Sequence, residues 1–411
     1  TGTPVGDLLS GHTRGVTALA AVPGPDGRML LASASEDGTV RLWDGATGTP
    51  AGDLFGHPNR VLAVTEMPGA HGRMLLATGG VDGTVRLWDA ATSTSVADPL
   101  TGHTSGVTAL AAVPGPHGRM LLATGGVDGM VLLWDAATGT SVADPLTGHT
   151  SGVTALAAVP GPHGRTLLAT GGVDGTVRLW DPATGTAVGD PLTGHNGPLL
   201  ALAAVQGPDG RTLLATGSID GTVRLWDPAT GTSVGDPLTD HSIGVTALAV
   251  VPGPRGLTLL ATGSHDATVR LWDLATGTPA GDPLTGHTQT VRAMAAVPDL
   301  DGRMLLATGS SDATVRLWNP ATGTPVGDPL TGHTGPVRAV AAVPGSHGRT
   351  FLATAGDDLM VRLWDPATGT PVSALQVGVG VLALYPLSAG RLVVGTTGGT
   401  AVLVAKALVS S

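Results

Sequence analysis

The eight tryptophans of this chain recur at nearly constant intervals, and this period constrains the fold more than any other feature. They are Trp43, Trp88, Trp134, Trp180, Trp226, Trp272, Trp318 and Trp364. Successive tryptophans are 45 residues apart once and 46 residues apart six times. A fixed period of this length indicates one structural unit copied along the chain, so we expect a repeat architecture that extends one core rather than separate domains.

A histidine precedes each tryptophan by a constant 31 residues. In seven units this histidine follows a glycine, and in one unit it follows Asp240. The histidines are His12, His57, His103, His149, His195, His241, His287 and His333. The locked offset shows that the spacing inside each unit is as regular as the spacing between units.

The third unit illustrates the strands that each copy predicts. Apolar runs cover Val107 to Val113 and Met120 to Thr124, with a Pro/Gly-rich turn between them. An Asp-Gly turn leads into a third run, Met130 to Trp134, and a fourth short strand is predicted around Ser141 to Ala143. Four short antiparallel strands per unit, with no helical segment, are typical of one blade of an all-β propeller.

Gly-His followed by Trp-Asp at this spacing resembles the WD40 repeat family, and the resemblance covers nearly the whole chain. Two positions depart from the pattern: Asn319 follows Trp318, and Asp240 precedes His241. The resemblance implies a β-propeller that binds proteins and needs no cofactor.

The strand count predicts a single domain, a closed ring of nine blades. Residues 10–375 supply eight WD40 units, and residues 376–411 supply a degenerate ninth blade with strand-like runs at Val379 to Leu384, Arg391 to Gly395 and Thr400 to Val404. Residues 1–9 match the outer strand of the other units, so we expect Val5 to Leu8 to pair with the last run and close the ring. Closure would remove two exposed sheet edges. A ring of eight or seven blades, with the remaining strands packed elsewhere, is the alternative.

A serine or threonine ten residues before each tryptophan and an aspartate six residues before it complete a set that resembles a hydrolytic triad. Because the set is copied into every unit, we interpret it as structural. By resemblance to WD40 proteins, Asp, His, hydroxyl and indole form a buried hydrogen-bonded tetrad. Three of the predicted tetrads are His12, Ser33, Asp37 and Trp43; His103, Thr124, Asp128 and Trp134; and His149, Thr170, Asp174 and Trp180. We expect no catalytic site, and no metal site because the blades hold the histidines too far apart to share one ion.

Exposed positions at which the copies differ are candidates for partner binding. By resemblance, three positions per blade point to the docking face: the third and fifth residues after the histidine, and the residue before the turn aspartate. Units three to five carry only small or aliphatic residues there. The charged or ionisable exceptions are Glu36, Arg60, His265, Arg292, Arg338 and Asp357. They predict a polar docking sector, and neutral drift among duplicated units is the alternative.

Composition excludes several partner classes. The net charge is −10 and Lys406 is the single lysine, which disfavours nucleic acid. No apolar stretch reaches the ~18 residues of a membrane span, so we expect a soluble protein, cytoplasmic by default. The chain has no cysteine. Because it opens within a repeat, we expect a piece of a longer protein that is monomeric as a fragment.

The sequence therefore predicts a non-catalytic scaffold or sensor module that binds a protein partner or an effector domain of its own chain. The Ala, Gly, Pro and Arg bias resembles that of actinobacterial multi-repeat signalling proteins, in which such a propeller is C-terminal to the effector. One alternative is a hydrolase or lyase with a site in the central channel. Another is a stand-alone or engineered structural repeat protein.

Overall fold

The computed structural model describes residues 16–23, 29–35, 37–44, 50–69, 73–207, 209–299, 301–344, 350–358, 360–376, 381–387, 391–396 and 401–404. Within these ranges the chain folds into nine antiparallel sheets, of which eight have four strands and the last has three. In every sheet the strands follow one another in chain order, each hydrogen-bonded to the next. We number the sheets 1 to 9 along the chain. The architecture is all-β and repeated, as the period predicts.

The strands that begin the nine sheets are Val16–Pro23 (β1), Val61–Pro68 (β5), Val107–Pro114 (β9), Val153–Pro160 (β13), Leu199–Gln206 (β17), Val245–Pro252 (β21), Val291–Pro298 (β25), Val337–Pro344 (β29) and Val381–Leu387 (β33). The second strands are Met29–Ser35 (β2), Met74–Gly80 (β6), Met120–Gly126 (β10), Thr166–Gly172 (β14), Thr212–Ser218 (β18), Thr258–Ser264 (β22), Met304–Ser310 (β26), Thr350–Gly356 (β30) and Arg391–Thr396 (β34).

The third strands are Thr39–Asp44 (β3), Val85–Asp89 (β7), Val131–Asp135 (β11), Val177–Asp181 (β15), Val223–Asp227 (β19), Val269–Asp273 (β23), Val315–Asn319 (β27), Met360–Trp364 (β31) and Ala401–Val404 (β35). The fourth strands of sheets 1 to 8 are Pro50–Phe55 (β4), Thr94–Ser95 (β8), Thr140–Ser141 (β12), Thr186–Ala187 (β16), Thr232–Ser233 (β20), Thr278–Pro279 (β24), Thr324–Pro325 (β28) and Pro371–Gln376 (β32).

The sheets stack face to face, and the core lies between them. One apolar cluster joins Leu121, Ala123 and Leu133 of sheet 3 to Leu168 and Trp180 of sheet 4. The same arrangement recurs between other neighbours, so each tryptophan from Trp88 to Trp364 packs against the sheet before its own. Because both faces of the second strands of sheets 2 to 7 are covered, these strands are buried almost throughout and consist of continuous apolar and small residues.

First strands of neighbouring sheets lie against one another from sheet 1 to sheet 9. The first strand of sheet 9, β33, contacts both β29 of sheet 8 and β1 of sheet 1. Sheet 9 consists of β33, β34 and β35, close to the three predicted runs. Residues 1–9 lie outside the described residues, so their pairing with the last strand stays a prediction.

The fourth strands differ in length for a reason that the sequence contains. In sheets 2 to 7 only two residues pair regularly, and one isolated bridge such as Val131 with Leu146 follows. Between them stands an Asp-Pro pair, such as Asp144-Pro145, and proline has no N–H to donate to a ladder. Unit 1 lacks this proline, which accounts for its 45-residue step, and β4 pairs with β3 over its length.

The sequence predicts no helical segment, but the structure contains short helical turns. Single turns of 3₁₀ helix occur at Pro116–Gly118, Pro162–Gly164 and Pro254–Gly256, each between the first and second strands of its sheet. Proline at the start of each turn fixes φ near the helical value and brings no N–H that would lack a partner. Among the described residues, no helix is long and apolar enough to cross a membrane.

Candidate functional site

Sheet 4 shows the geometry of the four residues that recur in every unit. The Trp180 indole Nε1–H donates to Thr170 Oγ1 at 3.0 Å, and Thr170 Oγ1 lies 2.8 Å from His149 Nε2. His149 Nδ1 in turn lies 3.0 Å from Asp174 Oδ2. Thr170 is fully buried, and Trp180 is 3% exposed. The structure thus places the four side chains in one continuous hydrogen-bonded chain.

The direction of the protons in this chain follows from the donor inventory. An ionised Asp174 only accepts, so Nδ1 of His149 must carry the proton that points to it. Nε2 is then the acceptor, which makes the Thr170 hydroxyl the donor to His149 and leaves its oxygen to accept from the indole. Every polar atom of the tetrad has a partner when His149 is neutral.

The pKa values of the two titratable members agree with this assignment. Burial lowers the pKa of His149 below its ordinary value, and this outweighs the opposing effect of Asp174. Burial alone would raise the pKa of Asp174, but hydrogen bonds from the backbone N–H groups of Thr176 and Thr150, and from the Thr176 hydroxyl, lower it overall. A neutral imidazole beside a carboxylate is therefore the stable state near neutral pH.

The same geometry recurs in sheets 2 to 8. In sheet 3, Trp134 Nε1–H donates to Thr124 Oγ1 at 3.1 Å, His103 Nε2 lies 2.8 Å from that oxygen, and His103 Nδ1 lies 3.1 Å from Asp128. In sheet 1, Asp37 accepts from the backbone N–H of Thr39. His12 and the side chains of Ser33 and Trp43 lie outside the described part of the structure, so that tetrad stays a prediction.

Burial of the hydroxyl decides what this constellation can do chemically. The nucleophile of a hydrolytic triad must reach its substrate, whereas Thr170 has no exposed surface and already bonds at both its proton and its oxygen. The tetrad gives buried polar groups hydrogen-bond partners inside the stacked sheets. These bonds fix the second and third strands against the loop that carries the histidine. Among the described residues, no group of three or more metal-binding side chains is placed to hold an ion.

In sheets 2 to 8, the three positions selected as docking candidates meet at one end of the sheet. The backbone N–H before the turn aspartate donates to the carbonyl of the third residue after the histidine, as Val127 does to Gly106 at 2.9 Å. The same bond joins Val81 to Arg60, His265 to Gly244, Ser311 to Thr290 and Asp357 to Pro336. We call the surface formed by these loops in sheets 2 to 8 the loop face.

Charge on the loop face is concentrated in sheets 7 and 8. Arg338 holds Asp357 through its Nε and Nη2, at 3.0 Å and 2.7 Å from Oδ2. At the equivalent position of sheet 7, Nε of Arg292 donates to Ser311 Oγ at 2.6 Å. The structure therefore brings Arg292, Arg338 and Asp357 together on neighbouring sheets.

The other predicted partner-binding residues lie on other sheets or outside the described residues. Arg60 is exposed on sheet 2. His265 on sheet 6 is only partly exposed, and its Nδ1 is buried without a hydrogen-bond partner among the described residues. Glu36 lies outside the described residues, so its place on the docking surface stays a prediction.

Sequence reasoning missed a structural role at one of the docking positions. The Thr108 hydroxyl donates to the carbonyl of Val153 in the next sheet at 2.6 Å, and the Thr246 hydroxyl bonds the carbonyl of Val291. Thr154 makes the longer equivalent contact, 3.3 Å, to Leu199. At this position a threonine ties neighbouring sheets together, and an arginine or leucine at the same position in other units does not supply that hydroxyl.

Glu66 is a second residue that the sequence analysis left without a role. It lies in β5, at a position where units 3 to 5 have Ala112, Ala158 and Ala204. Its carboxylate forms no hydrogen bond or ion pair with another described residue. A single acidic side chain among alanines does not make the cluster of polar residues that a catalytic channel would require.

Comparisons with known proteins support the repeat assignment. A family model described as WD domain, G-beta repeat matches residues 2–44, 48–89, 94–135, 139–181, 187–227, 232–273, 279–319 and 323–365. A crystal structure of the computationally designed Ika8 protein is similar, with a TM-score of 0.62 and 25% identity over 98% of this chain and 99% of that chain. The comparison with curated proteins found no match.

Proposed function

The chain belongs to the WD40 repeat family, whose propellers generally act as protein–protein interaction scaffolds, and from this we propose a non-catalytic scaffold or sensor module. It docks a protein partner on the loop face through a charged sector, which consists of Arg60, Arg292, Arg338 and Asp357. The observation that carries the proposal is the meeting of Arg292, Arg338 and Asp357 on adjacent sheets, at positions where units 3 to 5 carry small or aliphatic residues. The tetrads and stacked cores provide a rigid support for these loops.

We also propose that the sheets close into a ring of nine blades. Support comes from β33, which contacts the first strands of both sheet 8 and sheet 1, and from the absence of a fourth strand in sheet 9 among the described residues. An outer strand from residues 1–9 would complete that sheet. Because the chain has no cysteine, pairs of introduced cysteines between positions 5–8 and 400–404 test this directly. One register should form a disulfide in high yield, and failure of every register contradicts closure by this segment.

The scaffold function is tested by the triple variant Arg60, Arg292 and Arg338 to Ala. Truncating a docked charge weakens association and lowers its salt dependence. The thermal transition should move little, because Arg60 is exposed and the Arg338–Asp357 ion pair is about one-third exposed at each partner, where such pairs contribute ~0–1 kcal/mol.

The control must sit on the same face without holding sheets together. Thr108 and Thr154 are unsuitable because their hydroxyls bond the next sheet. Val81, Val127 and Val173 are 43%, 52% and 40% exposed at the matching loop position of sheets 2 to 4, so their replacement by alanine is the matched control. If both triple variants bind the partner equally well, the charged sector has no special role and the drift interpretation holds.

The partner in this experiment is the polypeptide encoded upstream of Thr1, produced separately and titrated by calorimetry. We propose that this chain is the C-terminal propeller of a larger signalling protein and that the upstream segment is its effector. If the upstream polypeptide binds this chain and the triple arginine variant weakens that binding, the result supports the upstream segment as the partner and the charged sector as its docking site. An upstream reading frame that encodes no further domain refutes the signalling context but leaves the loop face to be tested against other partners.

A further inference from the structure

In the cluster of Arg292, Arg338 and Asp357, the two arginines differ in how many of their N–H groups are hydrogen-bonded. Arg338 is held by Asp357, to which both Nε and Nη2 donate. Arg292 donates only from Nε, to Ser311 Oγ. Its Nη1 and Nη2 bond no described residue and are not among the buried polar atoms without partners. Arg292 is partly exposed, and its Nη1 and Nη2 groups keep accessible surface and are unpaired among the described residues, so they can bind a ligand.

Fixed geometry distinguishes this guanidinium from an ordinary surface arginine. Arg292 stands on β25, at a register shift between Val291 and Ala293, and Arg338 occupies the same position of the adjacent strand β29. Anchoring of Nε by Ser311 limits the rotation of the side chain, so less conformational entropy remains to be lost when a ligand binds. The unpaired edge is thus held in place before a ligand arrives.

The local charge favours a ligand that carries a single negative charge. Two arginines and one aspartate give a local charge of +1 in a chain whose net charge is −10. Burial, and then the charge of Arg338, lower the pKa of Arg292 despite the opposing effect of Asp357. The Arg338 charge therefore repels that of Arg292, and a bound anion would relieve this repulsion. A carboxylate matches both the charge and the two parallel N–H groups of a guanidinium edge.

We propose that Arg292, supported by Arg338, binds an aspartate or glutamate carboxylate of the partner, so that the loop face recognises an acidic peptide segment. This inference rests on the proposed docking function and specifies its chemistry. Asp357 acts as an internal competitor: it occupies Arg338 and limits the attraction of the site for acidic chains.

Fluorescence anisotropy tests the proposal with a labelled, end-blocked ten-residue peptide of alternating Glu and Gly. The Gln-Gly peptide of equal length is the uncharged probe, and a phosphoserine-Gly peptide is the probe for a dianion. We expect the Glu-Gly peptide to bind, R292A to weaken it about tenfold, and D357N to tighten it severalfold because Arg338 is released. R119A is the charge-matched control, since Arg119 is 66% exposed at the opposite ends of the strands, beyond the turn that joins β9 to β10.

The possible results test the site, the role of Arg338 and the preference for a carboxylate separately. Equal weakening by R292A and R119A would show that only net charge matters and would overturn the site. Unchanged binding in D357N would overturn the role of Arg338, and much tighter binding of the phosphoserine peptide would overturn the assignment to a carboxylate. If the Glu-Gly peptide binds as expected while the triple arginine variant still binds the upstream polypeptide normally, the acidic site stands and the proposed partner is wrong. Melting curves of each variant verify that the loop face is folded.

Discussion

Replacing Thr170 with valine tests whether the tetrads stabilise the sheets. The hydroxyl has no exposed surface and lies between two partners, His149 Nε2 at 2.8 Å and Trp180 Nε1 at 3.0 Å. Valine has nearly the same shape, so the change creates little cavity. It leaves the indole N–H without an acceptor and the imidazole nitrogen without a donor.

The magnitude follows from the two groups that lose their partners. A buried donor or acceptor left unpaired costs about 1–3 kcal/mol, and the additional buried methyl group offsets roughly 1 kcal/mol. The two groups together cost about 2–6 kcal/mol, so we expect T170V to lower the free energy of unfolding by about 1–5 kcal/mol. The upper end is a large part of the ~5–15 kcal/mol that stabilises a typical domain.

The matched control is T184V, which makes the same chemical change on the turn after β15. Thr184 is exposed, and its hydroxyl bonds only Thr186, at 2.7 Å. Surface substitutions of this kind typically fall within ~0.5 kcal/mol of neutral.

Urea denaturation gives the midpoints of both variants, and hydrogen exchange of β14 and β15 reports whether sheet 4 opens locally, as repeat proteins can. The reasoning is refuted if T170V and T184V shift the midpoint equally, or if exchange in sheet 4 stays at the wild-type rate.

Three further predictions concern stability. H149A should cost on the order of 1–3 kcal/mol, because Thr170 loses its acceptor while Asp174 keeps the N–H donors of Thr150 and Thr176; an unchanged melting temperature would contradict it. Stability should fall as pH falls below the unfolded histidine pKa of about 6.5. Burial lowers the pKa of several tetrad histidines in the fold, so the unfolded chain binds more protons there; equal melting temperatures at pH 7 and pH 5.5 would argue against it. A313G should raise the melting temperature, because Ala313 has φ +66° at a turn where the equivalent Gly129 has φ +77°. This left-handed region costs a non-glycine residue ~1 kcal/mol. A lower melting temperature than wild type would show that the turn is unstrained.

Much of the fold followed from the sequence because the repeat supplies its own internal comparison. The period of the tryptophans, the apolar runs and the Asp-Gly turns are local signals, and they placed the first three strands of unit 3 within two residues of Val107–Pro114, Met120–Gly126 and Val131–Asp135. The fourth strand was placed less accurately. Its predicted run extended to Ala143, whereas regular pairing stops at Ser141, just before Asp144-Pro145.

The geometry of the candidate docking surface could be predicted only in part. Spacing identified the three positions that meet at the loop end of sheets 2 to 8, because residues at fixed offsets in a repeat occupy equivalent places. Spacing could not show that Arg338 is held by Asp357 while Arg292 keeps a free edge. Those pairings depend on side chains far apart in sequence and on their burial.

What the sequence determined by itself is the repeated blade, since strand periodicity and turn chemistry act over a few residues and are copied in every unit. Tertiary structure decided which polar groups are satisfied and which are free. By sequence, Thr108 merely occupies one of the three predicted docking positions, but stacking places the carbonyl of Val153 in the next sheet 2.6 Å from its hydroxyl. The physical reason is that a hydrogen bond between sheets joins residues a full repeat apart, and only the packed structure sets that distance.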